Sequence, residues 1–385
     1  EIINLKVPRN EVIAFGLYTV SNNTLKLSVQ LFPLYPNESR EVRLEIKKGN
    51  NWNVIQKIKI NDIGWSGLFR VENWNSNENV AYRLRHGESA IFEGLIRKDP
   101  KEKEKITIAA LSCNSNKDRG MRPNYVRNIN YHDPDLVFFA GDQSYDHKEH
   151  TAAWLKFGLQ FREVFRNRPC ITIPDDHDIG QGNIWGEGGI KAKSPAGNNG
   201  GYFYHSQYVQ MVERCQTSHL PDPYDSIPIS RGIGVYYTNL VVGEVDFAII
   251  EDRKFKSGPN GKIPQQGPRP DHIINPEYDP NSIDLPGLSL LGDRQLSFLD
   301  NWANKWQGVK MKAVLSQTGF CGGAHLHGPQ QTRLHADLDS NGWPQTGRNK
   351  ALNAIKKAKA VHIAGDQHLP TIIQHGINEF GDGPW

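Results

Sequence analysis

Three stretches of this chain gather residues that bind cations. Gly141-Asp142 runs on to Tyr145 and Asp146-His147 (GDQSYDH). Pro174-Asp175-Asp176-His177-Asp178 packs three carboxylates and a histidine into four positions, and Gly365-Asp366-Gln367-His368 repeats the Gly-Asp pair with a histidine two residues on. Carboxylates this close repel one another unless a cation or a proton offsets them. A single aspartate after a strand is ordinarily a helix cap, so the weight lies in the repetition. Asn183, in the Gly-rich run IGQGNIWGEGG, adds an amide oxygen suited to a hard cation. Cys113 closes the run ITIAALSCN, and its thiolate would favour a transition metal. Asp252-Arg253 ends a further apolar run and offers a guanidinium to phosphate oxygens. His177 is suited to stabilise developing charge or protonate a leaving group. His368 is expected on the same side as Asp366, since positions two apart in an extended chain share a face. Mixed oxygen, nitrogen and sulfur donors suit a two-metal hydrolase, in which one ion activates water and the pair clamps the attacking and leaving oxygens of phosphate.

The elements that must position these residues are visible as apolar runs. Six of them end in polar clusters: residues 106–114, 135–147, 170–178, 245–253, 312–319 and 360–368. Helical patterns lie between some of these, at Thr151–Arg166, Tyr204–Cys215, Asp293–Trp306 and Arg348–Ala358. Buried strands alternating with helices predict an α/β sheet covered on both faces, and in such sheets functional residues project from the carboxyl ends of the strands. Six strands that all end in Asp, His, Cys, Arg or Gln exceed what turn chemistry explains.

Residues 1–97 have a different texture. Short alternating runs at Val12–Val20, Leu25–Phe32, Val42–Lys47, Val54–Ile60, Gly67–Val71, Val80–Leu84 and Ser89–Ile96 are separated by turn residues, the pattern of a small β-sandwich. The charged stretch 98–105 reads as a linker, and 106–385 as the catalytic domain.

Composition narrows the function. No run of 18 or more apolar residues occurs, so no transmembrane segment is expected. With 45 basic against 42 acidic residues the net charge is +3, which predicts no specific nucleic-acid partner. Four cysteines without a CxxC pair demand no disulfide framework.

The ordered set SC, GDxxYDH, PDDHD, DR, LGDRQLSFL, DSNGWPQTGR and GDQHLPTIIQHG resembles the PhoD-like branch of the metallophosphatases, the alkaline phosphatase D type. The segment YRLRHGESAIFEGLIRKDP resembles the leading domain of the same family. The resemblance implies a four-layer α/β/β/α metallophosphatase-type sandwich, preceded by an all-β immunoglobulin- or fibronectin-like sandwich domain. It implies export to the periplasm, the cell surface or the medium. It matches Cys113, Asp142 and Tyr145 to ligands of a ferric ion, and Asp176, Asn183 and Asp366 to positions around one or two calcium ions, with zinc or manganese as lesser alternatives; Asp175 is a further metal-ligand candidate. Arg253 becomes a phosphate contact, and His177 and His368 join it as catalytic residues. This sequence departs from the family at Pro174, where an aromatic is usual, at Asp178, where the family has Glu, and in the Gly-rich spacing before Asn183. The Pro-rich insertion 258–288 is expected to cover the site.

The activity so implied is hydrolysis of a small phosphate ester, monoester or diester, by metal-activated water. The nearest alternative is a phosphodiesterase or phospholipase D-like enzyme of the same fold. From another class comes a calcium-stabilised glycan-binding protein, for which 9 Trp and 13 Tyr supply the aromatic surface. Residues Thr371–Ile377 read as a strand, and the Gly-Asp-Gly-Pro-Trp ending reads as a catalytic domain that continues beyond Trp385.

Overall fold

The structure is a computed structural model that describes residues 2–115, 121–146 and 149–385. His147 of the GDxxYDH motif lies outside the described residues. The chain divides into two compact units. The first holds 1–174, 211–222 and 240–243, and the second 175–210, 223–239 and 244–385.

The first unit begins with seven antiparallel strands: β1 (Ile13–Ser21), β2 (Thr24–Leu31), β3 (Glu41–Lys48), β4 (Asn51–Lys59), β5 (Ser66–Val71), β6 (Val80–His86) and β7 (Ala90–Ile96). They form one sheet of order β1-β2-β5 and another of order β4-β3-β6-β7. Each predicted run is a strand. The β1–β2 turn shows how the sequence sets register: Asn22 and Asn23 both take positive φ, 48° and 58°, and close Ser21 onto Thr24. A two-residue turn of this hand suits the strand twist, and asparagine tolerates it.

The same unit continues with β8 (Ile108–Leu111), α1 (Arg122–His132), β9 (Leu136–Phe139), α2 (His150–Gln160), α3 (Arg162–Phe165) and β10 (Cys170–Thr172). The three strands are parallel, in the order β10-β9-β8. All four residues of β9 are buried, as a strand covered on both faces requires. Phe139 packs against Phe157, Phe161 and Phe165 at ring-centroid distances of 5.0, 5.0 and 5.7 Å. Helices α2 and α3 also meet the antiparallel strands, since Phe15 of β1 lies 5.5 Å from Trp154 and 5.8 Å from Phe165. Gly158 permits that approach: a Cβ there would sit 1.8 Å from the Phe15 ring. Gly158→Ala should therefore lower the melting temperature. Overpacking of about 1–3 kcal/mol outweighs the helix propensity gained, about 1 kcal/mol. An unchanged melting temperature would show that Phe15 moves freely.

Helix α4 (Ser206–Thr217) and β11 (Thr238–Val242) hold residues of both units. In the second unit follow β12 (Val245–Ile249), β13 (His272–Ile273), α5 (Gly292–Ala303), β14 (Met311–Thr318), β15 (His325–His327), β16 (Thr332–Leu334), β17 (Ala336–Asp337), α6 (Gln345–Lys357) and β18 (Val361–Gly365). Strands β12, β14 and β18 are parallel neighbours in that order. Between them in sequence run α5 and α6, whose Leu299, Trp302, Leu352 and Ile355 join Ala248, Ile250 and Val314 in one core. The Pro-rich insertion is built into a second core, where Ile263, Ile273 and Ile283 pack with Trp185, Ala336, Leu338 and Trp343.

Thr371–Ile377 forms no strand. Its backbone groups bond to a turn instead: His375 N–H donates to Pro384 O at 2.9 Å and Gly383 N–H to His375 O at 2.8 Å. Among the described residues no helix is long and apolar enough to cross a membrane.

Candidate metal centre

In the first unit, the parallel pairing of β8 and β9 continues past the strand ends. Ala140 N–H donates to Leu111 O at 2.8 Å, Cys113 N–H to Gly141 O at 3.2 Å and Asn114 N–H to Asp142 O at 2.8 Å. Two neighbouring strand ends are thereby held in step, and Cys113 and Asp142 come side by side. The Cys113 Sγ lies 3.7 Å from Asp142 Oδ2, and the Tyr145 hydroxyl donates to that same oxygen at 2.9 Å. Cys113 and Asp142 both adopt positive φ, 58° and 55°, a conformation that costs non-glycine residues about 1–3 kcal/mol each and clusters at functional sites. Asn114 braces the loop, its amide donating to Gln143 O at 3.1 Å and to Gln160 Oε1 at 3.0 Å.

Burial pushes the Tyr145 phenol far up, and the charges of Asp142 and Cys113 add to it. Thiolate, carboxylate and phenolate on three adjacent side chains repel one another unless a highly charged cation neutralises them. The donor set fits such an ion.

In the second unit, a tight turn carries Asp175, Asp176 and Asp178, all buried, with His177 partly exposed. Asp178 Oδ2 accepts from Asp175 N–H at 3.0 Å, and Gln181 N–H donates to Asp176 O at 3.0 Å. Arg253, 2% exposed, is the hub of the unit. Its Nε and Nη2 donate to the two oxygens of Asp175 at 2.7 and 3.0 Å, and its Nη1 donates to Asp339 Oδ1 at 2.7 Å. Asp366 Oδ1 stands 3.2 Å from Nη2. Asn183 is buried and donates its amide to Asp271 Oδ2 at 2.9 Å, which leaves its oxygen as the atom it can offer a cation. Asp366 and His368 follow β18 with φ of 72° and 55°. The segment is therefore not extended, and the expected shared face of Asp366 and His368 does not follow from alternation. His368 is exposed.

Two residues missed in the sequence complete this cluster. Asp339, inside DSNGWPQTGR, supplies the second carboxylate on Arg253. Lys256 donates to Ser340 O at 2.9 Å and to Asp339 O, and burial beside Arg253 pushes its ammonium down to about 8. Their signal was weak, since neither ends an apolar run. Asp252 is wholly buried, with Oδ2 accepting from Thr318 N–H at 2.8 Å, and burial raises its carboxyl to about 6. Burial, together with Asp339 and Asp175, pushes the Asp366 carboxyl up to about 8 against the pull of Arg253. Four carboxylates (Asp175, Asp252, Asp339, Asp366) thus surround two cations (Arg253, Lys256). The acidic excess can be met by protons or by a divalent ion, and oxygen donors of this kind fit calcium.

No protein-family model matches the chain, and no curated protein matches it. Among solved structures the chain is similar to the structure of PhoD, with a TM-score of 0.68 and 17% identity over 94% of this chain and 73% of that one. That likeness establishes the fold: the chain has the α/β fold of PhoD, in agreement with the order of its motifs.

Proposed function

We propose that the chain is a metal-dependent phosphoesterase acting on small phosphate monoesters or diesters. The observation that carries this reading is the Cys113–Asp142–Tyr145 set, a thiol and a phenol gathered on one carboxylate oxygen at 3.7 and 2.9 Å, in a chain of PhoD-like fold. In this reading the three hold a ferric ion, and Asp175, Asp176, Asn183 and Asp366 hold calcium. When bound, such ions lower the pKa of water and neutralise phosphate charge. Arg253 keeps Asp175 and Asp366 in position and offers positive charge to the phosphate. His177 and His368 stabilise developing charge or protonate the leaving oxygen. The four-layer sandwich and export from the cytoplasm belong to the same proposal and rest on the motif resemblance, and the division at residues 97 and 105 rests on the change of sequence texture there.

The purified protein should contain iron and calcium and show a visible tyrosinate-to-iron colour. Asp142→Ala and Asp176→Ala should each reduce hydrolysis of both a monoester and a diester to the assay background. Near wild-type rates in Asp142→Ala would overturn the assignment. The ratio of the two substrate rates in the wild type decides between phosphatase and phosphodiesterase.

A further inference from the structure

Three metal-binding side chains of the second unit play no part in the reading above. His272 belongs to the Pro-rich insertion, Asp337 to β17, and His327 to the β15–β16 hairpin. Strands β13 and β17 are antiparallel, with His272 directly opposite Asp337, and directly opposed residues project to one face of their sheet. The hairpin brings His327 to the same place: its ring centroid lies 4.6 Å from that of His272. One ligand atom from each of His272, His327 and Asp337 lies within 4.8 Å of the other two. A tetrahedral ion with bonds of about 2.0–2.1 Å needs its ligand atoms roughly 3.3 Å apart, a spacing that small side-chain rotations reach.

We propose that His272, His327 and Asp337 bind a divalent transition ion of the zinc class. Two imidazoles with one carboxylate favour such an ion over calcium or magnesium, which take oxygen ligands. Three protein ligands and one open position are a recurrent zinc arrangement. His325, two residues before His327 on β15 with its ring 5.8 Å away, and water are the groups at hand for the fourth position. His327 is exposed on its hairpin, so water reaches that position. An outer layer is present as well. Asp271 Oδ2 stands 3.6 Å from His272 Nε2 and is itself fixed by Arg269 at 2.8 Å and Asn183 at 2.9 Å. A carboxylate at this place can close onto the imidazole when an ion binds, and carboxylates that hydrogen-bond a ligating imidazole are the common second layer of zinc sites.

The ion would tie the insertion to the chain that holds Arg253. Asp337 Oδ1 accepts from Asp339 N–H at 3.1 Å, and Asp339 is the carboxylate on Arg253 Nη1. Cross-linking His272 and His327 through Asp337 therefore fixes one partner of the buried guanidinium.

Cobalt(II) is the probe, because its visible bands report a tetrahedral site directly and no phosphate ester is needed. Full-length protein stripped by chelator is titrated with Co²⁺ alone. His327 lies on an exposed hairpin, so His327→Ala should keep the fold. It should lose one tetrahedral equivalent, with affinity lowered about 100-fold or more. Asp337→Asn should do the same, while Asp142→Ala should retain that equivalent. Wild-type Co²⁺ stoichiometry and spectrum in both His327→Ala and Asp337→Asn would overturn the proposal, as would loss of the same band in Asp142→Ala. Because the readout is metal binding, it stands apart from whether the chain hydrolyses phosphate esters.

Discussion

Arg253→Met should destabilise the protein by about 3–5 kcal/mol, the usual consequence of removing one partner from a buried ionic network. The substitution nearly conserves side-chain length, so little of the loss is packing. What remains is Asp175, Asp339 and Asp366 facing one another without the guanidinium that now lies 2.7, 2.7 and 3.2 Å from them. Arg253→Lys should recover only part of the loss, because a point charge cannot make the paired bonds to both Asp175 oxygens. Calcium should raise the urea midpoint of Arg253→Met more than that of the wild type, since a divalent ion supplies the missing charge. A wild-type midpoint in Arg253→Met would mean that those carboxylates are already neutral.

The second large effect is a weakening in acid traceable to buried histidines. His150 and His219, both buried, are each pushed down to about 3 by burial. His219 is fully buried and donates Nε2–H to Cys170 O at 3.0 Å as a neutral ring. With a folded value below the unfolded value of about 6.5, the unfolded chain binds the extra proton. Stability from each ring is then complete above that value and is lost as pH falls toward 3. Between pH 7 and pH 5 each contributes a loss of about 2 kcal/mol. Asp252 and Asp366, whose carboxyls are raised, act in the opposite direction, so the effect is read by difference. In His219→Gln the stability lost between the two pH values should be about 2 kcal/mol smaller than in the wild type. An equal loss in both would show that His219 protonates without unfolding the chain.

Much of this was legible in the sequence, and the failures have physical causes. The seven strands of the sandwich and the six parallel strands announce themselves because burial on one face or two leaves alternating or continuous apolar runs. Helix α1 left no such trace, since only Ile129 of its residues is buried. Thr371–Ile377 is apolar enough to read as a strand, yet its partner is a turn, and composition says nothing about where backbone bonds go. At the site, Asp142, Asp175 and Asp366 could be found because each follows an apolar run. Asp339 and Lys256 could not, because they come from loops brought in by tertiary packing. The pairing of His272 with Asp337 depends on the register of two short strands whose paired residues lie 65 positions apart in sequence, and register between distant strands leaves no local mark.

The seam between sandwich and helices has a consequence for recombination. At Gly94 a Cβ would lie 2.0 Å from the Arg166 carbonyl oxygen, and Leu95 N–H donates to that oxygen at 2.9 Å. Phe15 meets Gly158 in the same way. Strands from both sheets, β1 and β7, are therefore closely fitted to α2 and α3 and the residue that follows them. A chimera broken near residue 97 would join two halves of different cores, whereas one broken after Pro174, with Met211–Asp222 and Leu240–Gly243 exchanged alongside, would carry a whole compact unit across.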